Sequence, residues 1–400
     1  MRTTIRYILA LALLALTGCT KDGEESRYPH ALRVVLVYMA GDNSLGSYVQ
    51  DNLDAMVRGM ATAPAGSRTL AYVDTPGGKP RLVEGTASGT KTLHTWPGPH
   101  NSASAATVRE VIGRVRTLAP ADRYGLVLWS HGLAWMPSWA TGYLNRSKGR
   151  MAKPWPPTKW FGQDTGENPA GYLDTEQLSE AIPAGVFDYI LFDACFMASA
   201  EMLYALRDKT EQIVCSPAEV IADGFPYAEV MAELLRPEPD LRVVCGSYYR
   251  HYAEHPQSSY RSATVSLVET SQLEALAAAT VSVLEAALAA DPEALAGMDL
   301  NRVQPLDRYR RHFLFDMGSV VGELEARGLV PASLAGAWRG QLARTVPYEA
   351  HTPTMLGLAL DECCGLSMYV PYADYTDLNE YYRTLDWYRQ CYPMNYAIAQ

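Results

Sequence analysis

The sequence lacks the cysteine spacings that mark a zinc site or a dense disulfide framework. None of its 7 cysteines belongs to a Cys-x-x-Cys pair, so we assign no metal ligand. A chain of 400 residues can build a core without disulfides, and the adjacent Cys363 and Cys364 pair with each other only under strain. No EF-hand loop occurs among the scattered acidic residues. We therefore expect most of the thiols to be buried and inert.

Positive charge is scarce as well. The chain has 34 Lys and Arg residues but 44 Asp and Glu residues, which gives a net charge of -10. This charge argues against broad nucleic-acid binding. Charged residues make up only 20% of the chain and apolar residues 48%, so a folded core is expected and global disorder is not. The sequence shows no internal repeat and no low-complexity segment.

The N-terminal apolar stretch is too short to span a bilayer. Arg2 and Arg6 flank its start, and it runs over residues 7–16, a layout typical of a secretory signal peptide. The stretch ends in the letters LTGC, which resemble the bacterial lipobox. We predict that residues 1–18 are a lipoprotein signal peptide and that Cys19 carries lipid. An ordinary signal peptide with a chance cysteine is the alternative.

A lipidated Cys19 would place the protein in the bacterial cell envelope. Several acyl chains on one cysteine give a stable membrane anchor, and residues 19–30 are polar enough to serve as a tether. Thr20 is not the aspartate that signals inner-membrane retention. We therefore expect a lipid anchor in the outer membrane, with the facing side left open.

Apolar runs alternate with helical patterns along most of the chain. This alternation predicts an α/β fold with a mostly parallel sheet flanked by helices. We divide the chain into a catalytic domain over 31–236 and an α/β C-terminal region over 237–400, packed on or extending the first domain. Strands are predicted at 33–39, 69–74, 81–84, 124–129, 187–192, 212–216, 262–268 and 364–370; helices are predicted at 105–118, 175–181, 197–207, 227–235, 242–255, 272–289, 319–327 and 377–391, with another after an Asn43 or Ser44 cap.

Polar or reactive residues follow three of the predicted strands, at 41–43, 130–132 and 193–195. Ligands bind at the carboxyl ends of parallel strands, so His131 and Cys195 are expected on one rim of the sheet. A thiol and an imidazole on one rim suit nucleophilic catalysis. The structural alternatives are a small buried cysteine and a His-Gly turn.

The local sequence suggests how such a thiol would be activated. A helix predicted to start near Phe196 would place its N-terminus behind Cys195 and lower the pKa of the thiol. Gly132 allows close approach of the backbone, and its N–H group, with that of Cys195, is a candidate oxyanion hole.

Four sequence blocks resemble the clostripain-like cysteine peptidases, a branch of the caspase and gingipain clan. They are VVLVYMAGDNSL, YGLVLWSHGLAW, YILFDACFMASAEMLYAL and VCSPAEVIADGFPY, and they span residues 34–227. The resemblance implies a caspase-like fold and a protein or peptide substrate. It also implies that Cys195 is the nucleophile and His131 the general acid/base.

The same resemblance implies a specificity. Asp193 and Asp223 match two family acids at the primary specificity pocket, so cleavage after Arg or Lys is expected. A helix cap and an Asp-Gly turn are their structural alternatives. Phe225 stands where the family usually has tryptophan. Calcium dependence occurs in the family, but no ligand set can be assigned here.

The long segment 133–171 is rich in Trp, Pro and basic residues. Family members are often zymogens cut between the His and Cys boxes, which makes the bonds after Lys148 and Arg150 candidate self-cleavage sites; a solvated basic loop is the alternative. A non-catalytic surface lipoprotein that binds proteins or glycans through this aromatic loop is a competing function. An acyl transferase or peptide ligase using the same thioester is a third.

Overall fold

The computed structural model describes residues 28–86, 88–98, 100–140, 155–158 and 173–393. The predicted signal peptide, the lipidation site Cys19 and the candidate cleavage positions Lys148 and Arg150 lie outside these residues.

Nine of the described strands form one sheet in the order β10-β8-β7-β6-β5-β1-β2-β3-β4. The five central strands, from β7 to β2, are all parallel, and the two strands at each flank pair antiparallel. The predicted mostly parallel sheet is therefore confirmed. The strands are β1 Ala31–Ala40, β2 Ser67–Asp74, β3 Arg81–Thr86, β4 Gly89–Thr95, β5 Ala121–Trp129, β6 Phe187–Asp193, β7 Gln212–Cys215, β8 Thr264–Glu269 and β10 Tyr348–His351.

The central strands are parallel and buried on both faces, which explains their unbroken apolar runs. Every residue of β1 except Leu32 is buried, and the last six residues of β5 are buried as well. β4 has no fully buried residue. Because it offers no apolar alternation, the sequence pattern did not predict this strand.

Helices cover both faces of the sheet and bury two hydrophobic clusters, one on each side. The predicted helices at 105–118 and 175–181 have the bounds found in the structure. The helices are α1 Val49–Gly59, α2 Ala105–Leu118, α3 Thr175–Ala181, α4 Ala200–Ala205, α5 Tyr227–Leu234, α6 Leu241–Ala253, α7 Leu273–Ala290, α8 Met317–Ala326, α9 Ala332–Thr345, α10 Thr376–Tyr382 and α11 Asp386–Cys391.

The C-terminal half contributes to the main sheet and also builds two smaller ones. β8 and β10 extend the main sheet at one end. The strand predicted at 364–370 is only β13, Ser367–Met368, and it pairs with β9, Phe315–Asp316, while the pair β11 (Thr354–Met355) and β12 (Leu358–Ala359) forms a hairpin. The single helix predicted at 377–391 is two helices, α10 and α11.

Candidate active site

The predicted catalytic residues lie at the same edge of the sheet. β5 and β6 are adjacent and parallel, and Trp129 pairs in register with Asp193. His131 and Cys195 each follow two residues later, so both begin the loops at the carboxyl rim. Both are almost fully buried, at 3% and 0% exposure.

The backbones of Gly132 and Cys195 pass unusually close to each other. A Cβ atom added to Gly132 would lie 1.9 Å from the Cys195 carbonyl oxygen and 2.8 Å from its nitrogen. No side chain fits at that distance, so only glycine allows the two loops to meet. The approach brings the two predicted oxyanion-hole residues together.

The chain turns sharply after Cys195 instead of entering a helix. Phe196 has a positive φ of 63°, and its N–H donates to the Ala218 carbonyl at 2.8 Å. The helix begins only at Ala200, where Ser199 is the N-cap and accepts from Met202 N–H. The predicted helix start near Phe196 is therefore wrong, because the residues between pair with the loop after β7. A helix N-terminus does not lie directly behind the thiol.

The Cys195 sulfur lies instead against Val220. The Val220 N–H donates to Cys195 Sγ at 3.0 Å, and the Val220 carbonyl lies 3.6 Å from the same sulfur. The backbone N–H stabilises the thiolate, whereas the carbonyl can accept a hydrogen bond from the thiol, so the two contacts act in opposite directions. Val220 follows β7 and carries an apolar side chain, so no sequence signal marked it as a thiol partner.

The loop after β1 reaches His131 on the opposite side. Ser44 Oγ lies 3.1 Å from His131 Nε2. Asn43 shapes this loop, since its side chain accepts from Leu45 N–H and donates to the Ala40 carbonyl. Neither Asn43 nor Ser44 is the helix cap that the sequence suggested, because a 3-10 turn at Gly46–Tyr48 precedes α1. Ser44 is a site residue that sequence reasoning missed.

Asp193 is fully buried, with its carboxylate directed at the segment after β7. Its Oδ2 accepts from Tyr227 Oη at 2.8 Å and from Phe225 N–H at 3.3 Å. Burial first, and the Asp193 carboxylate second, raise the pKa of the Tyr227 hydroxyl well above its ordinary value, so it remains a donor. Asp193 does not cap the short helix α4, whose cap is Ser199.

Asp223 is exposed and lines a cavity of about 300 Å³. Phe225 and Tyr227 form part of the cavity wall, and the same two residues contact Asp193. The two acids thus lie on opposite sides of one wall. Both acids act on the Tyr252 hydroxyl. Burial and Tyr248 raise its pKa most, and the carboxylates of Asp193 and Asp223 raise it further. The cavity is lined by Tyr48, Asp51, Asn52, Ala55, Arg58, Asp223, Gly224, Phe225, Pro226, Tyr227, Ala228, Glu229 and His251.

Residues 155–158, a short piece of the segment between the His and Cys boxes, dock beside the thiol. Thr158 forms an antiparallel bridge with Ile221, and Ala222 N–H donates to the Pro157 carbonyl at 2.8 Å. The short segment therefore pairs with the two residues that follow Val220.

A buried ion pair fixes the same contact. Thr158 Oγ1 donates to Glu219 at 3.0 Å, and Arg308 holds both oxygens of that carboxylate in a bidentate pair. At the other end, the Trp155 ring lies so close to Gly357 that a Cβ there would be 2.6 Å from it. Residues 155–158 are thus held against the segment that carries Val220, whose N–H contacts the Cys195 sulfur.

Within the described part of the chain, no group of metal ligands lies around the predicted catalytic pair. Among the described residues, the one cluster of three His, Cys, Asp or Glu ligand atoms is Glu349, His351 and Cys363. It lies on the edge strand β10 and the loop before β13, and it contains a thiol. It is not the all-oxygen ligand set that calcium prefers.

The chain is similar to known proteases over most of its length. Residues 37–328 match the family model described as the clostripain family. An inactive zymogen C11 protease from Parabacteroides distasonis is 30% identical, with a TM-score of 0.76 over 91% of this chain and 99% of that one. A secreted C11 cysteine protease from Bacteroides thetaiotaomicron, solved with an irreversible peptide inhibitor, is 26% identical, with a TM-score of 0.74 over 90% and 99%. No curated protein matches the sequence.

These matches agree with the central sheet and with the four sequence blocks. The family match covers well over half of the 400 residues. The chain therefore belongs to the clostripain family and is a cysteine peptidase.

Proposed function

We propose that the protein is an endopeptidase that cleaves after Arg or Lys, with Cys195 as nucleophile and His131 as general acid/base. The approach of the Gly132 and Cys195 backbones is the observation that carries the proposal. It joins the His-Gly and Asp-Ala-Cys motifs at one point of the sheet rim. The Cys195 thiol and the His131 imidazole, a nucleophile and an acid/base, then lie in one site.

The reaction follows from the roles of these groups. Cys195 Sγ attacks the scissile carbonyl carbon as a thiolate, and the imidazolium of His131 gives its proton to the departing amine nitrogen. The peptide C–N bond breaks and a thioester remains on Cys195. Water then attacks the thioester carbon, His131 takes a proton from that water, and the thiolate leaves.

Two neighbours position the pair. Val220 N–H contributes a hydrogen bond that favours the thiolate form of Cys195. Ser44 Oγ orients the His131 ring, so we assign Ser44 as a positioning residue. The N–H groups of Gly132 and Cys195 would stabilise the oxyanion of the tetrahedral intermediate.

Asp223 is the exposed acid that we propose binds the basic side chain. It lines a cavity whose other charged or titratable side chains include Asp51, Arg58, Glu229 and His251. Asp193, buried behind Phe225 and Tyr227, would support the negative potential from the far side of the wall. The pocket preference then comes from a carboxylate pair acting on one cation.

We expect Asp223→Asn to lower kcat/KM for peptides with Arg or Lys at the cleaved position by about 10- to 100-fold, since a charge-assisted hydrogen bond contributes about 1.5–3 kcal/mol. This kcat/KM is measured with fluorogenic peptides that carry Arg, Lys, Asp, Asn or Ala at the cleaved position. Asp54→Asn, on the same helix α1 but outside the cavity lining, is the matched control. A preference for Asp or Asn, or unchanged Arg preference in Asp223→Asn, contradicts the specificity.

The docked residues 155–158 suggest that the uncut chain is a zymogen. A peptide substrate can bind by adding a strand to an exposed edge, and here Pro157 and Thr158 already pair with Ile221 and Ala222. We propose that self-cleavage after Lys148 or Arg150 frees the N-terminal end of this segment, so that it can leave the edge.

Purified wild-type protein is expected to cut itself after Lys148 or Arg150, whereas Cys195→Ala stays intact. N-terminal sequencing of the fragments locates the cut. A Lys153→Ala variant is the control, because Pro154 makes the bond after Lys153 a poor substrate. Equal cutting of wild type and Cys195→Ala, or no cutting of either, removes the proposal.

We also propose that the protein is lipid-anchored at Cys19 in the outer membrane. The signal-like N-terminus and the lipobox-like sequence support this location. Calcium dependence stays a prediction from family resemblance.

The competing binding function has one observation against it. Trp135, part of its predicted aromatic platform, is 0% exposed and packs against Tyr369 and Tyr382. Trp139 is 48% exposed. Trp135 therefore belongs to the hydrophobic core and cannot contact a ligand at the surface. This favours the peptidase function over the binding function.

A further inference from the structure

A second cluster of reactive side chains lies away from the proposed active site, at the outer edge of the sheet. Glu349 and His351 alternate along the edge strand β10 and so project from the same face. Their ligand atoms and the sulfur of Cys363 all lie within 4.8 Å of one another. His351 Nδ1 is 2.6 Å from Glu349 Oε1, and both side chains are about one quarter exposed.

The loop that carries Cys363 is held closely against the strand. Gly365 has a positive φ of 87°, and a Cβ there would lie 2.7 Å from Ser266 Oγ and 3.1 Å from Glu349 Cγ. Only glycine allows this approach, so the backbone turn delivers the cysteine to the strand. The cluster is thus built by two separate segments of the C-terminal region.

We propose that Glu349, His351 and Cys363 bind a divalent transition-metal ion of the Zn²⁺ class. Thiolate, imidazole and carboxylate together are the ligand types that Zn²⁺ selects, and water would complete a tetrahedral set. Ligand atoms around Zn²⁺ are about 3.5 Å apart, so the His351 Nδ1 and Glu349 Oε1 atoms, now 2.6 Å apart, would move apart slightly to admit the ion. Binding releases the thiol proton to solvent and separates His351 from its hydrogen bond with Glu349.

The charge around the thiol favours a cation. The Glu349 carboxylate supplies negative charge within the cluster, and the partial exposure of Glu349 and His351 leaves an entry path. The metal would cross-link β10 to the loop before β13. β10 pairs with β8 alone in the main sheet, and this cross-link would secure it.

The neighbouring cysteine supplies a matched control. Cys364 Sγ accepts from Gly318 N–H at 3.2 Å and lies 3.4 Å from the Leu366 carbonyl. Its sulfur is thereby engaged in the backbone of a different turn, and it is not a member of the cluster. The two adjacent thiols have different predicted roles despite their shared sequence context.

The test is a Co²⁺ titration of untagged, full-length, reduced Cys195→Ala protein, in which the other thiol–imidazole pair is removed. We expect thiolate-to-Co²⁺ charge-transfer absorption that saturates at one equivalent and disappears when Zn²⁺ is added. Cys363→Ser should lose this absorption, Cys364→Ser should keep it, and His351→Gln should weaken Co²⁺ binding at least 10-fold. Zn²⁺ should also raise Tm in a concentration-dependent way in the parent and in Cys364→Ser.

No thiolate absorption in the parent overturns the proposal, as does absorption that survives in Cys363→Ser or vanishes in folded Cys364→Ser. If Cys363→Ser does not fold, His351→Gln decides, and wild-type Co²⁺ affinity in that variant overturns the proposal. None of these readouts depends on peptidase activity, so this site and the proposed function succeed or fail separately.

Discussion

Gly132→Ala is expected to reduce kcat/KM by at least about 100-fold. A Cβ at this position would lie 1.9 Å from the Cys195 carbonyl oxygen, a distance at which the loops must move apart by more than 1 Å. Displacements of that size in a catalytic site cost about 10²-fold in rate. The same movement separates the two N–H groups of the proposed oxyanion hole, and the loss of one such donor costs about 10²–10³-fold.

The control for this prediction is Gly113→Ala. Gly113 lies in α2 with open space around its Cα, and alanine favours helices, so full activity is expected. Gly132→Ala should still fold, since overpacking of this kind typically costs about 1–3 kcal/mol; Tm and circular dichroism check this. Near wild-type activity of a folded Gly132→Ala protein contradicts the proposed arrangement of the site.

Glu201→Gln is expected to stabilise the protein at alkaline pH. Glu201 lies in α4 and is fully buried, and its Oε1 accepts from Tyr369 N–H and Tyr382 Oη at 3.0 Å. Burial raises the pKa of this carboxyl from 4.5 to about 7, although the hydrogen bonds from Tyr369 and Tyr382 act in the opposite direction. The native state therefore binds a proton that the unfolded chain has lost.

The free energy of unfolding depends on pH through the protonation of Glu201. Between pH 4.5 and 7 the folded state holds one proton more than the unfolded state at this group, so the free energy of unfolding falls as pH rises, by about 1.4 kcal/mol per pH unit. This contribution is fully present below pH 4.5 and lost above pH 7. At pH 8 the charged carboxylate costs roughly 3 kcal/mol, which glutamine avoids while keeping the accepting oxygen.

Urea denaturation at pH 5, 6.5 and 8 measures the effect. Glu201→Gln should exceed the wild type only slightly in stability at pH 5 and by most of this cost at pH 8. Part of the wild-type slope will remain, because burial also raises the pKa of Asp316. Glu176→Gln is the control, since Glu176 is exposed and accepts from Tyr381 Oη at 3.2 Å. Equal stability of Glu201→Gln and wild type at pH 8 contradicts the assignment.

The parallel core of the fold is predictable from sequence, because strands buried on both faces need apolar runs. β1, β5 and β6 carry such runs, and the reactive residues that end them lie on one rim as parallel pairing requires. β4 and β10 are half-exposed edge strands and carry no such run. Their positions depend on pairing with neighbours, which a single sequence does not encode locally.

The partners of the site residues are less predictable than the residues themselves. Val220 meets the Cys195 sulfur through its backbone N–H, and a backbone contact leaves no residue signature. Ser44 reads as a helix cap, yet a 3-10 turn separates it from α1 and leaves its hydroxyl to His131. The sequence places the start of the helix after Cys195 too early, because residues 196–198 are apolar. Their backbone hydrogen bonds to Ser216 and Ala218 are long-range and leave no local signal.

The cluster at Glu349, His351 and Cys363 was missed for a related reason. Its residues are not arranged in a short Cys-x-x-Cys or His-x-x-x-His spacing, so they do not predict a metal site. They meet because Glu349 and His351 lie on the same face of β10, and the turn at Gly365 brings Cys363 against that strand. Only the tertiary structure brings them within 4.8 Å.

The role that we propose for Cys195 is that of nucleophile toward peptides with a basic residue at the cleaved position. Its most direct test is covalent labelling with an irreversible peptide inhibitor carrying Lys at that position, followed by peptide mapping, on intact protein and on protein cut within 141–154. We expect one adduct, on Cys195, formed much faster than with the matching Asp inhibitor and strongly slowed in His131→Ala. No adduct in either form, or an adduct on another of the cysteines, would contradict it.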